Sequence, residues 1–363
     1  MSWLYVFLGF SALIILHEAG HFFAAKATGM RVEKFFLFFG PKLVSFKRGE
    51  TEYGIATIPL GGYAKISGMN PEEELPPEVE PRAYYRQPVW KRIVVVAAGP
   101  AVNIVLAFLI LFILAFTSAT VATPAVDEVV PKTPAAGVLK PGDRILAVDG
   151  KSYPSLNGDA KVTRFREDIG SHKCTGKQTS GCKAATPVDL EIRRGGRLMT
   201  ISVRPEYNAS AGQTLVGFSF KGKPTDISTG EAASRAGSFV WFVTHETLTR
   251  FAKIFNSKDR KQLHGIVGVS DVAHQTIALG IERSLFLVAV VSLSLGLINL
   301  FPFLPLDGGH IFWALVEKVR RKPVPFSVMV RAGVVGFVLV AMLIFITLSN
   351  DIGRLTGEGF HVR

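Results

Sequence analysis

Apolar residues gather in four long blocks along the chain, at about residues 2–25, 93–117, 285–306 and 327–349. Each block is near the roughly 20 residues that a helix needs to cross a hydrocarbon core about 30 Å thick. The first block has no preceding charge and no small-residue cleavage site after it, so we interpret it as a retained helix rather than a signal peptide. This pattern predicts a polytopic α-helical membrane protein with about four transmembrane helices.

Three segments between the blocks have other patterns. Residues 35–68 contain runs of Phe, Val, Ile, Thr and Tyr separated by glycines, which predicts β-strands or a hairpin lying on or dipping into the cytoplasmic membrane face. Residues 124–222 indicate a soluble β-rich domain, with a polar insertion over 151–183. Residues 229–256 have an apolar face at helical spacing, which favours an amphipathic helix on the membrane surface over a linker helix packed on the soluble domain.

Composition and charge support a membrane protein. Of the 363 residues, 48% are hydrophobic and 19% are charged, which is too apolar for an ordinary soluble enzyme. The net charge of +12 could suggest nucleic acid as a partner, but the basic residues collect beside the apolar blocks. We therefore expect no nucleic acid and interpret the charge by the positive-inside rule, which places the loops after the first and third blocks in the cytoplasm.

These patterns divide the chain into nine expected segments. They are transmembrane helix 1 over 1–26, a cytoplasmic membrane-associated β-loop with an acidic linker over 27–92, transmembrane helix 2 over 93–117, an extracytoplasmic β-rich domain with an insertion over 118–228, an amphipathic membrane-proximal segment over 229–284, transmembrane helix 3 over 285–310, a cytoplasmic basic loop over 311–326, transmembrane helix 4 over 327–349 and an extracytoplasmic tail over 350–363.

The two cysteines, Cys174 and Cys182, both lie in the long 118–284 segment. If that segment is extracytoplasmic, a disulfide between them is possible, and two free thiols are the alternative. Spacing alone does not decide between these states, because a disulfide requires a specific geometry.

The first apolar block contains the pattern His17-Glu18-x-x-His21. On a helix, residues i and i+4 share a face, so both imidazoles can bind one metal ion while the adjacent carboxylate acts as a general base. Polar residues at the centre of a membrane helix are unfavourable by about 2.5–3.5 kcal/mol each when charged. A metal site for hydrolysis explains them better than a hydrogen-bonded packing cluster.

Two histidines leave a catalytic zinc site short of a ligand, since such sites usually have three protein ligands. The best remaining candidate is Asp307, in the stretch "NLFPFLPLDGGH", where prolines and glycines exclude a regular helix. An acidic residue on a helix break at membrane depth is a functional candidate. The alternative is that Asp307 only caps the helix that starts near Gly309.

Together these motifs resemble the site-2 protease family of intramembrane metalloproteases, in its bacterial branch. The resemblance rests on the HExxH block, on "NLFPFLPLDG" (residues 299–308), on "AAGPAVNIVLAF" with Gly99, Pro100 and Asn103, on "IPLGGYAKISG", and on "KPGDRILAVDG", which looks like part of a single PDZ domain. It covers nearly the whole chain and is specific because both metal motifs occur in the right order.

The resemblance implies that zinc binds to His17, His21 and Asp307 and that Glu18 is the base. It also implies that Asn299 and Asn103 lie near the substrate, although polar packing between helices is an alternative for Asn103. The β-loop, with Gly61, Gly62 and Tyr63, is expected to hold an unwound substrate segment as an added strand.

The implied protein is a multi-pass enzyme of the bacterial inner membrane, with a periplasmic PDZ-like domain and an active site near the cytoplasmic face. Its implied substrates are single-span membrane proteins, such as anti-sigma factors or signal-peptide remnants, already cut by a site-1 protease within a stress response. Two alternatives remain, namely a non-proteolytic PDZ binding module with a structural metal and a metal transporter. Neither requires a carboxylate beside the first histidine.

Four other histidines are given simpler interpretations. His310 is expected to support the turn after Asp307, because the three-ligand set is already filled. His245, His264 and His274 are expected on the opposite side of the membrane from the metal site. The role of the "LHGIVGV" stretch around His264 is left open, since it departs from the family pattern.

Overall fold

The computed structural model describes residues 2–176, 178–179, 181–208, 211–252, 276 and 280–355. The chain forms two compact units, of which the first comprises residues 1–117 and 229–363 and the second comprises residues 118–228.

Unit 1 is built mainly from helices. In chain order these are α1 (Ser2–Ala27), α2 (Val89–Thr117), α4 (Thr229–Ala252), α5 (Ile281–Asn299), α6 (Asp307–Arg320) and α7 (Phe326–Leu355). Four of the described helices are long and apolar enough to cross a membrane, namely α1, α2, α5 and α7. The prediction of about four long apolar helices is confirmed by their length and composition.

Small residues allow close packing between α2 and α5. Ala289, Leu293 and Gly296 of α5 are buried, and a Cβ on Gly296 would lie 2.9 Å from the Pro100 carbonyl oxygen of α2. Ser292 Oγ also donates a hydrogen bond to the Asn103 carbonyl oxygen at 2.9 Å. Small residues and hydroxyl groups of this kind hold membrane helices together, since lipid offers no hydrophobic driving force between them.

A long β-hairpin follows α1, formed by β1 (Val32–Arg48) and β2 (Thr51–Ile66). Its register is interrupted, so that Phe36 pairs with both Tyr63 and Gly54, which bends each strand into two parts. The outer part exposes large apolar side chains, with 64% of Leu43, 67% of Val44 and 63% of Phe46 accessible. Apolar patches of this kind mark membrane or protein contacts, and the membrane association of the β-loop stays a prediction.

The segment assigned to transmembrane helix 3, over 285–310, contains the helix break that its prolines and glycines predict. Helix α5 ends at Asn299, turns occupy residues 300–306, and α6 begins at Asp307. The expected basic loop over 311–326 is corrected, because α6 continues through it to Arg320. The prolines at 302 and 305 remove backbone donors and end α5, whereas the residues after Asp307 are compatible with a helix.

Unit 2 contains a five-stranded sheet, one helix and a small hairpin. The sheet order is β6-β5-β4-β3-β9, from β3 (Thr120–Val129), β4 (Arg144–Val148), β5 (Val188–Arg194), β6 (Arg197–Val203) and β9 (Phe218–Pro224). The hairpin joins β7 (Glu206–Asn208) to β8 (Gln213–Leu215). The predicted turn at Gly195–Gly196 connects β5 to β6 and is confirmed.

The expected insertion over 151–183 is partly wrong. Residues of this segment form α3 (Gly158–Ser171), and Phe165 and Ile169 of α3 join the buried core of unit 2 with Ile145 and Leu190. The segment looked polar because only one stripe of α3 is apolar, and charged residues cover the remaining faces. Cys174 and Cys182 follow α3 and form a disulfide.

Helix α4 packs within unit 1. Ala236 of α4 is buried against Leu111 of α2 and Ala289 of α5, and the rings of Phe239 and Phe286 lie 5.2 Å apart. Trp241 of α4 remains 70% exposed. Helix α4 therefore contacts the apolar helices of unit 1, and its position at the membrane surface stays a prediction.

Candidate metal centre

Helix α1 places the two histidines of the HExxH pattern on one buried face. The exposed fraction of the residue surface is only 7% for His17 and 9% for His21. Their Nε2 atoms lie 3.3 Å apart, as the i, i+4 spacing predicts.

The third group comes from the break between α5 and α6. Asp307 is the first residue of α6, and its Oδ2 atom lies 3.2 Å from Nε2 of both His17 and His21. The turn before α6 can fold tightly because Gly308 has no side chain. A Cβ at Gly308 would lie 2.2 Å from the Leu300 carbonyl oxygen.

The protonation pattern of these groups fits a bound cation. His21 Nδ1 lies 2.9 Å from the Val95 carbonyl oxygen, so this nitrogen carries the proton and Nε2 presents its lone pair. Although two imidazole nitrogens are close to Asp307 Oδ2, that oxygen is buried without a hydrogen-bond partner, and His17 Nδ1 has none either. Converging lone pairs repel one another unless a positive charge lies among them.

The donor set suits zinc. One ligand atom from each of His17, His21 and Asp307 lies within 4.8 Å of the others. Among the described residues, no other group of three or more His, Cys, Asp or Glu side chains brings its ligand atoms this close together. Two imidazole nitrogens and one carboxylate oxygen match the three protein ligands of a catalytic zinc site, in which a further position stays open.

Glu18 is held beside this cluster by the β-hairpin. Its Oε2 atom accepts a hydrogen bond of 2.9 Å from the backbone N–H of Ala64 in β2. Gly62 of the same strand passes close to Glu18, because a Cβ on Gly62 would lie 3.3 Å from Glu18 Cγ. The edge of β2 therefore lies along α1 at the position of the carboxylate.

The HExxH face opens into a cavity of about 650 Å³. Of the residues predicted for substrate binding, Asn299, Gly61, Gly62 and Tyr63 line this cavity, together with His17, Glu18, His21 and Asp307. Pro305 of the same motif as Asp307 also contributes to the wall, as do Phe39 and Met69, which no sequence pattern indicates as site residues.

Asn103 is placed differently from the prediction of substrate contact. It is fully buried and does not belong to the lining of the cavity. A Cβ on Gly296 of α5 would lie 3.4 Å from Asn103 Cβ, so Asn103 lies in the packing between α2 and α5. Direct contact with a substrate would require these two helices to separate, which the sequence motif alone could not reveal.

The four other histidines considered in the sequence analysis lie in different places. His310 lines the cavity, which its position three residues after Asp307 could have suggested, since such residues share a helix face. His245 is exposed on α4. His264 and His274 lie outside the described residues.

A buried histidine pair, a carboxylate ligand brought from another helix and a second carboxylate in the same cavity define a membrane-embedded metal-dependent hydrolase. Comparison with known proteins gives the family. Residues 5–343 match peptidase family M50, so the chain belongs to that family. The sequence-based assignment to the site-2 proteases, and with it the prediction of a zinc metalloprotease, is confirmed.

The relatives extend over nearly the whole chain. A protein of Clostridium perfringens is 33% identical over 356 residues, covering 96% of this chain and 98% of the relative. Zinc metalloprotease Rip1 of Mycolicibacterium smegmatis is 31% identical, with 94% of this chain and 92% of the relative covered. Among solved structures, the PDZ domain of the SdrC-like protein from Listeria innocua is similar to 30% of this chain, over 99% of its own length. The sequence identity is 21% and the TM-score is 0.22, which is too low to support an argument.

Proposed function

We propose that this chain is an intramembrane protease that uses zinc held by His17, His21 and Asp307, with Glu18 as the general base. The observation that carries this proposal is the convergence of the three ligand atoms within 4.8 Å in a cavity that also contains Glu18. Membership of peptidase family M50 supports the same chemistry.

The mechanism follows from the side chains of the cavity. Zinc, when bound there, would lower the pKa of water and polarise the scissile carbonyl group. Glu18 accepts a proton from the attacking water while the water oxygen bonds to the carbonyl carbon. The same carboxyl then gives that proton to the leaving nitrogen as the C–N bond breaks. The Ala64 N–H orients Glu18 for both transfers.

The edge of β2 offers a place for an unwound substrate. A transmembrane helix hides its carbonyl groups in hydrogen bonds, so it must unwind before it can be cut, and an extended segment can pair with an open strand edge. Gly61, Gly62 and Tyr63 lie in this part of the cavity wall. A proline at one of these ladder positions is expected to abolish cleavage while sparing bound zinc, and retained cleavage with several such prolines would contradict strand addition.

The proposal also covers the orientation of the chain in the membrane and the class of substrate. We place the β-loop and the basic residues of α6 on the cytoplasmic side of a bacterial inner membrane, and unit 2 as a PDZ-like domain on the outer side. Substrates are then single-span proteins that a first protease has trimmed, such as anti-sigma factors or signal-peptide remnants. The supports are the positive-inside pattern of the loops and the resemblance to site-2 proteases.

The decisive experiment compares three forms of the full chain in liposomes with a trimmed single-span reporter. Wild type is expected to cleave it. Glu18→Gln is expected to keep zinc and lose about 10²–10⁴-fold in rate, because the general base is removed. Asp307→Asn is expected to lose or weaken both zinc binding and cleavage, because one ligand charge is removed.

Two results would contradict the protease assignment. One is equal cleavage by Glu18→Gln and wild type. The other is a wild type that binds zinc and cuts none of a broad reporter panel, which would favour a binding module with a structural metal. Zinc flux through wild-type liposomes without cleavage would favour a transporter.

A further inference from the structure

His310 is a cavity residue that the mechanism above does not use. It lies on α6 three residues after Asp307, so the two side chains share a face of that helix. The cavity that holds His17, Glu18 and His21 is also lined by His310.

The turn before α6 does not depend on the His310 side chain. Its hydrogen bonds are made by the backbone, from Leu306 N–H to the Phe303 carbonyl oxygen at 2.9 Å and from Gly309 N–H to the Leu306 carbonyl oxygen at 3.0 Å. Close packing there is provided by Gly309, where a Cβ would lie 2.4 Å from the Leu304 nitrogen. The expected role of His310 in supporting this turn is therefore not supported.

The imidazole of His310 also differs from those of the metal centre. His21 has a ring nitrogen bound to the Val95 carbonyl oxygen, whereas His310 makes no hydrogen bond or ion pair with any other described residue. It is also absent from the cluster of ligand atoms within 4.8 Å. A half-buried polar group without a protein partner is unfavourable, unless a ligand or water satisfies it.

We propose that His310 is a further catalytic residue, which donates its ring N–H to the carbonyl oxygen of the scissile peptide bond as that carbon becomes tetrahedral. A neutral imidazole always carries one N–H, so this role requires no change in protonation. His310 keeps its proton throughout, while the proton of water moves to Glu18 and then to the leaving nitrogen. A donor aimed at a developing oxyanion stabilises the transition state most where bulk water is excluded.

The inference rests on the proposed proteolysis, and the test keeps the two separate. Wild type, His310→Ala and His310→Gln are compared in the full chain on the trimmed reporter, with zinc content, kcat and KM measured for each. Val319→Ala is the matched control, because Val319 is on the same helix and 84% exposed.

His310→Ala is expected to lower kcat by about 10²–10³-fold, the usual effect of losing one oxyanion donor, with zinc content and KM nearly unchanged. His310→Gln retains an N–H donor and is expected to recover part of the rate. A phosphinic peptide that mimics the tetrahedral state should lose affinity for His310→Ala by a similar factor. An uncleavable ground-state peptide should bind both forms equally.

Three results would overturn the inference while wild-type cleavage stands. His310→Ala retaining full kcat would exclude the role. Zinc loss in His310→Ala would make the residue part of the metal site. Equal loss of affinity for the phosphinic and the ground-state peptide would indicate a change in cavity shape instead.

Discussion

At the scale of single residues, the position of the His21 ring depends on a residue without a side chain. A Cβ on Gly99 of α2 would lie 2.2 Å from His21 Nε2 and 2.5 Å from its Cε1 atom. The neighbouring turn of α2 provides Val95, whose carbonyl oxygen fixes the tautomer of the same ring. Helix α2 thus shapes the metal centre without contributing a ligand, in the way that partners of metal-bound histidines generally do.

We expect Gly99→Ala to reduce zinc affinity by about 10–100-fold, the usual effect of disturbing a group that orients a metal ligand. The added methyl group must displace the His21 ring, because the contact is with a ligand nitrogen. Titration of the apo protein with zinc measures this change. Gly237→Ala is the control, since nothing lies within 4 Å of a Cβ there. Unchanged zinc affinity in Gly99→Ala would show that α2 can move away and accommodate the methyl group without displacing the His21 ring.

At the scale of elements, an ion pair ties the helix that carries Asp307 to α2. The Arg92 guanidinium donates to both carboxylate oxygens of Glu317 on α6, at 3.0 and 2.5 Å. Arg92 is 9% exposed, so the pair is shielded from water on one side. Bidentate pairs of this kind fix orientation as well as distance.

We expect Arg92→Glu to destabilise the protein by about 1.5–3 kcal/mol and to weaken zinc binding, because α6 would lose its anchor. The double variant Arg92→Glu with Glu317→Arg is expected to restore both properties. Thermal unfolding in detergent and zinc titration provide the measurements. The exposed pair Arg164–Glu167 is the control, since its loss should change stability by less than about 1 kcal/mol. No recovery in the double variant would contradict the anchoring role.

A second ion pair makes the stability of unit 2 depend on pH. Burial alone would raise the pKa of the Asp143 carboxyl, but the Arg194 guanidinium and the Lys140 N–H that donate to it hold that pKa below its ordinary value. Because the folded state then binds the proton more weakly, this stabilisation is complete above the unfolded pKa of about 3.9 and is lost as pH falls below it.

We expect hydrogen exchange in peptides of residues 118–228 to accelerate as pH falls below about 4, after correction for intrinsic rates. Asp143→Asn should exchange faster at neutral pH and show a smaller dependence on acid, because an amide cannot ionise. Asp189→Asn is the control, since Asp189 is exposed. An unchanged acid dependence in Asp143→Asn would assign the effect to other groups.

At the scale of the complete chain, the two ends of unit 2 lie on adjacent strands. Thr120 of β3 pairs with Pro224 of β9, and Thr225 N–H donates to the Ala119 carbonyl oxygen at 3.0 Å. Unit 2 also has its own buried core, centred on Phe165, Ile145 and Leu190. The chain therefore enters and leaves this unit at one place, which is suitable for excision with a short linker.

We expect deletion of residues 124–222 to preserve zinc binding and cleavage of the trimmed reporter, because the metal centre lies wholly in unit 1. Cleavage of an untrimmed reporter should rise, because a selecting domain is removed. The ratio of the two rates is the measurement, and the same deletion with Glu18→Gln is the control for cleavage by this site. A deletion variant that still rejects untrimmed substrates would place the selection elsewhere.

The four long apolar helices, the β-strands after the first of them and the shared face of His17 and His21 were predictable from sequence, because these depend on local periodicity and spacing. The sequence also pointed to Asp307 through a break in an apolar block. The approach of Asp307 to both histidines, the packing of Asn103 between helices and the place of His310 in the cavity wall became visible in the folded chain. Those properties depend on contacts between residues distant in the chain, which local patterns do not encode. The core role of α3 escaped detection because its apolar stripe is narrow and its remaining faces are charged.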